Sequence, residues 1–105
     1  MMTADKLAEL YKAVLILEEK LEMAKTRLRE AQKFDPSIVN DGKKQVELAR
    51  NALASAQKEF SNGITSFNRI YSNVPFYRFS KTYTVKLETK TVRFHFNQHG
   101  VPTIT

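Results

Sequence analysis

The sequence predicts an α+β, mostly helical fold: a long antiparallel two-helix coiled-coil hairpin followed by a C-terminal β-hairpin. Three observations carry this. Two successive segments space their apolar residues by alternating threes and fours, as a coiled-coil seam does. Only Phe34-Asp35-Pro36-Ser37 separates them, so the two helices should fold back on each other. After Pro75 the apolar period drops to two, as in half-buried strands.

The first seam runs Leu7, Leu10, Val14, Leu17, Leu21, Ala24, Leu28, Ala31 without a miss. Thr3 suits an N-cap, and Asp5 lies in the first turn, where a carboxylate complements the helix dipole. Arg27, Arg29 and Lys33 sit near the other end, where cations do the same. A helix over residues 4–33 follows, roughly 45 Å long. The stretch from Tyr11 to Leu17 is apolar nearly all round, and Leu15 and Ile16 fall off the seam. One partner helix cannot cover them; either the β segment or a second subunit must. Tyr11, Leu15 and Ile16 are therefore the candidate oligomer interface.

Asp35 can cap the second helix with Pro36 in its first position, and Asp41-Gly42 offers an alternative start. Its seam runs Val46, Ala49, Leu53, Ala56, Phe60, Gly63, Phe67, Ile70, Val74. Gly63 is costly there by about 1 kcal/mol against alanine. A close backbone approach, or room for a neighbouring aromatic, would justify it. Ser72-Asn73-Val74-Pro75 ends the helix, because the residue before proline avoids helical angles. The predicted span is 36–73.

A β-hairpin is expected over 77–97, with a tail over 98–105. Tyr83, Val85 and Leu87 alternate with Thr82, Thr84 and Lys86; Val92, Phe94 and Phe96 alternate with Thr91, Arg93 and His95. A turn centred on Thr89-Lys90 pairs Leu87 with Val92, Val85 with Phe94 and Tyr83 with Phe96, which puts every apolar residue on one face. It also puts Lys86 opposite Arg93, an unfavourable like-charge pair, with Arg78 further along that face. Arg78, Lys86 and Arg93 are the candidate anion or nucleic-acid contacts. The plainer reading is a solvated face that Glu88 partly relieves. A lone two-stranded hairpin is marginal in water. Its aromatic face must pack on the helices, on a third strand from Val101–Thr105, or on another chain.

The 105 residues suffice for one small domain, 1–105. The net charge is +6, and its distribution is uneven: residues 76–105 hold five Lys/Arg against one Asp/Glu. An excess of one sign favours anionic partners without naming one. The N-terminus has no signal-peptide pattern, and the longest wholly apolar run, Ala13–Leu17, is far short of a membrane span. The chain therefore reads as soluble and cytoplasmic or otherwise intracellular.

The chemistry that enzymes need is sparse. With no cysteine there is neither a disulfide framework nor a thiolate metal site. His95 and His99 lack acidic neighbours in sequence, so no metal and no cofactor is expected. There is no glycine-rich phosphate loop and no nucleophile elbow. Glu18, Glu19 and Glu22 read as a solvated helix face, and a thin hairpin offers little concave volume for a small-molecule substrate. Aromatics and cations near the C-terminus resemble a base-stacking platform in composition, but they fall on opposite strand faces, which favours core packing.

Phe60-Ser61, Ile64, Phe67-Asn68 and Val74-Pro75 stand at the intervals of the last helix of LemA-family proteins, and Asn51, Leu53, Ala54, Ala56 and Lys58 are also similar. The resemblance covers residues 51–75. Ser61 stands where the family has Asn, and Phe replaces Tyr twice. The family's N-terminal membrane anchor is missing, and the strands have no counterpart in it. The resemblance implies a helical, non-catalytic, envelope-associated role and transfers no functional residue. The sequence as a whole points to a non-enzymatic structural or protein–protein interaction protein, an adaptor or accessory factor that self-associates through its helices. Nucleic-acid binding on the basic face of the hairpin is the alternative.

Overall fold

The structure, a computed structural model, describes residues 1–73 and 81–105. Helix α1 spans Ala4–Phe34 and helix α2 spans Val39–Tyr71. They pack side by side as the expected antiparallel hairpin. A meander of three antiparallel strands follows: β1 Tyr83–Lys86, β2 Thr91–Phe96 and β3 Pro102–Ile104, in the order β1-β2-β3. The fold is α+β and mostly helical.

Thr3 caps α1 as its chemistry suggests: its hydroxyl accepts the Lys6 N–H at 3.2 Å. The connection to α2 differs from expectation. Pro36–Ile38 form one 3-10 turn, and the α-helix begins only at Val39. Asp35 does not cap it; the carboxylate instead accepts the Ser37 hydroxyl at 2.6 Å. Proline's fixed φ and missing N–H suit that first tight turn. Asp41-Gly42 is not a start either, since α2 runs straight through it. A Cβ on Gly42 would lie 3.1 Å from Leu28 Cδ1, so the glycine sits against the opposite helix.

The seams bury Leu7, Val14, Leu21 and Ala31 from α1 and Val46, Gly63 and Phe67 from α2. Gly63 makes room for aliphatic side chains of α1 rather than for a neighbouring backbone or an aromatic ring: a Cβ there would lie 2.8 Å from Leu10 Cδ1 and 3.2 Å from Leu7 Cδ1. Val74, the last expected seam residue, lies outside the described residues.

The sheet lays Tyr83, Val85, Leu87, Val92, Phe94 and Phe96 onto the helices, all buried. The expected facing is right, but the expected register is not. Tyr83 pairs with Phe94, Val85 with Val92 and Lys86 with Thr91. The turn is Glu88-Thr89, closed by Leu87 N–H to Lys90 C=O at 2.8 Å. A slip of two residues leaves every side chain on its own face, so alternation cannot detect it. The last residues are not only a tail, because Pro102–Ile104 pair with β2 through Phe96↔Pro102 and Phe94↔Ile104.

Candidate functional site

Two carboxylates of α1 fasten β1 along the helix. At one end the Asp5 carboxylate accepts the Tyr83 hydroxyl at 2.8 Å and the Lys81 ammonium at 3.0 Å through the same oxygen. At the other, Glu19 accepts the Glu88 N–H at 2.7 Å, the Thr89 N–H at 3.3 Å and the Thr89 hydroxyl at 2.7 Å. The fourteen-residue helical separation spans about 21 Å. The six extended residues from Tyr83 to Thr89 span about 20 Å. That match in length lets both anchors close at once. Lys81 and Tyr83 hold Asp5 below its usual value of 3.8; the Thr89 hydroxyl, then the Glu88 amide, hold Glu19 below 4.5.

Between the anchors lies an aromatic cluster. The Tyr11 ring sits 4.8 Å from Phe94 edge-on and 5.0 Å from Phe60, with Phe96 at 6.3 Å. Such pairs add about 0.5–1.5 kcal/mol each beyond burial. Burial lifts the Tyr11 phenol above 10.0, and the Glu18 carboxylate adds to the effect. Tyr11 and Leu15 both pack against the core under the sheet. Of the two covers that helix 1 required, the β segment supplies one. Ile16 stays outside it, 37% exposed.

The second hairpin loop is latched to α2. His99 Nδ1 and Asn68 Oδ1 lie 2.9 Å apart, and Asn97 Oδ1 accepts the N–H groups of His99 and Val101 at 2.9 and 3.0 Å. Gly100 lies between the helices at φ +76°, where a Cβ would come within 3.2 Å of both Leu7 and Phe67.

The sheet covers only the half of the helical hairpin that holds its chain ends. Where it stops, at Glu88, an open groove of about 720 Å³ begins and runs along both helices toward the connecting turn. Its more buried residues are the small Ala24, Ala31, Gly42 and Ala49 together with Leu17 and Met23. Its exposed lining includes Lys20, Arg27, Ile38 and Leu48, the last two 51% and 62% exposed. Phe34 at the tip is 82% exposed. Sequence reading missed this groove. Its signals were the small residues that replace leucine and phenylalanine in the far half of both seams, and Ile38 and Leu48 lying off them.

The expected anion contacts divide. Arg78 lies outside the described residues. Lys86 and Arg93 share the outer face of the sheet but do not oppose each other: Lys86 faces Thr91, and Arg93 faces Thr84. The expected like-charge pair is thus a diagonal one, because the turn sits one residue earlier than its expected centre. Two further cations are spent elsewhere. Lys81 pairs with Asp5, and Lys90 lies on the helix side beside Glu18, Glu19 and Glu22.

Among the described residues, no three His, Asp or Glu side chains come together as metal ligands. No described helix is long and apolar enough to cross a membrane. Compared with family models, with curated proteins and with solved structures, the chain matches none.

Proposed function

We propose that this chain is a non-enzymatic interaction protein that assembles with a second copy of itself through the uncovered half of its helical hairpin. The groove carries the proposal: it is apolar, floored by small residues that allow a helix to approach closely, and flanked by exposed Ile38 and Leu48. Large exposed apolar surface of this kind marks association sites.

Shape and charge favour a second copy in the opposite direction. Docked in the same direction, two sheets would collide. Docked in the opposite direction, each tip slides against the other's sheet end and four helices close around the two grooves. The tip, residues 27–44, holds five Lys/Arg against three Asp/Glu, a net +2. The step it would meet carries Glu18, Glu19, Glu22 and Glu88 against Lys20 and Lys90, four acids against two cations, which is complementary in sign.

Size-exclusion chromatography with light scattering tests this. The expected mass is twice 12.1 kDa. Leu48→Glu together with Ile38→Glu should give a monomer of unchanged helical circular dichroism, since both side chains are exposed within one chain. A wild-type monomer at high protein concentration overturns the proposal.

A further inference from the structure

The outer face of the sheet is a second surface, chemically unlike the groove. We infer that it binds the phosphodiester backbone of a nucleic acid. The central patch is Thr84, Lys86, Thr91, Arg93, His95 and Thr103, brought together by the pairings Lys86↔Thr91, Thr84↔Arg93 and His95↔Thr103. All are exposed except the half-buried His95.

Three features select the ligand. First, the cations are available. Neither Lys86 nor Arg93 has a carboxylate within 4 Å among the described residues, and the chain has no Asp or Glu after Glu88. Second, they cannot turn away to find one. Tyr83, Val85, Val92 and Phe94 are locked into the core beneath, so strand alternation holds Lys86 and Arg93 outward. As diagonal neighbours they stand about 7–8 Å apart, far enough to take separate phosphates. Third, apart from the half-buried His95 imidazole, the patch contains no aromatic or large aliphatic side chain. A protein partner needs an apolar centre to bury, and a base-reading surface needs rings to stack on. The tyrosine and phenylalanine rings of this sheet, Tyr83, Phe94 and Phe96, face the helices. Cations and hydroxyl donors without rings suit phosphate oxygens, and suit them without regard to sequence.

The test is fluorescence anisotropy with fluorescein-labelled mixed-sequence DNA, single-stranded in one arm and duplex in the other, over a salt series. Binding in either arm should weaken as salt rises, with a log–log slope of about −1.5 to −2 for two phosphate contacts. The arm that binds more tightly identifies the strand form. Lys86→Ala with Arg93→Ala should bring the slope close to zero in that arm and leave circular dichroism unchanged. Arg50→Ala with Lys58→Ala, both exposed on α2 away from the sheet and the groove, should change neither. Three results overturn the inference: no binding to either DNA at low salt, a slope unchanged by the Lys86/Arg93 substitutions, or displacement of the DNA by poly-glutamate at equal charge concentration.

Discussion

Glu19 and Thr89 meet twice through one carboxylate oxygen, which accepts the threonine hydroxyl at 2.7 Å and its amide at 3.3 Å. The other oxygen takes the Glu88 amide. No non-glycine residue in the described chain has positive φ, so the Glu88-Thr89 turn is not of the primed type that two-residue hairpins favour. An off-type turn is held from outside by a helix carboxylate.

The contact predicts a response to acid. Glu19 in the fold lies below its usual 4.5. Its contribution is therefore present above that value and is lost as pH falls through the depressed one. In a nuclear magnetic resonance titration, the Glu88 and Thr89 amide signals should shift together with a midpoint below 4.5. Glu19→Gln should abolish that step while preserving the helices. A midpoint at or above 4.5 would mean that the carboxylate does not hold the turn.

Gly63 and Gly100, both set against Leu7, should differ in the cost of a methyl group. Gly63→Ala gains up to about 1 kcal/mol of helix propensity but pushes a methyl to 2.8 Å from Leu10 Cδ1. Leu10 is only half-buried, and its end can swing away, which leaves the 3.2 Å contact with Leu7 as the tight one. The net change should stay within about 1 kcal/mol, on the overpacking scale of one displaced methyl. Gly100→Ala has no such relief. It adopts a left-handed angle that costs roughly 1–2 kcal/mol with a Cβ. Its new methyl would also press on Leu7 and Phe67, both fully buried. Urea unfolding should therefore rank Gly100→Ala as clearly the worse. Equal midpoints would show that the loop moves aside.

How much of this was legible in the sequence follows from range. The seams, the Thr3 cap and the sidedness of Val85, Val92 and Phe94 depend on neighbours three or four residues away, or on alternation, and all are readable. The register and the clamp depend on Asp5 and Glu19 meeting residues 76 to 78 and 69 to 70 positions distant, and no local pattern carries that. Glu19 in particular reads as one solvated helix acid among three. Lys86 and Arg93 were found on the correct face for a sound reason, yet in the wrong pairing, because facing survives a two-residue slip. The groove was hidden differently: Ala24, Ala31 and Ala49 satisfy the seam rule as well as leucine does, but they leave room that leucine would fill.

The His99–Asn68 latch should behave as a single exposed hydrogen bond. With an Nδ1···Oδ1 distance of 2.9 Å, each of His99→Ala and Asn68→Ala should cost about 0.5–1.5 kcal/mol. The double substitution should cost less than their sum, because each removes the same contact. A strictly additive pair in denaturant unfolding would show that the loop is held by Asn97 and Gly100 alone.

The apolar residues packed between sheet and helices should differ in cost from those that the sheet leaves bare. Phe94 is fully buried and lies against Tyr11, Tyr83 and Phe96. Phe94→Ala should cost about 3–5 kcal/mol, the range for emptying a core of an aromatic ring. That is a large share of the 5–15 kcal/mol that holds a typical domain folded, so thermal unfolding should shift down by well over ten degrees. Ile16 is off the seam, left uncovered by the sheet and partly in solvent. Ile16→Ala should therefore change folding by less than about 1 kcal/mol, since little apolar area returns to water. If Ile16→Ala instead lowers the unfolding temperature in a protein-concentration-dependent way, Ile16 is covered by a second chain. The self-association surface would then wrap around helix 1 from the groove to the residue that its own sheet leaves bare.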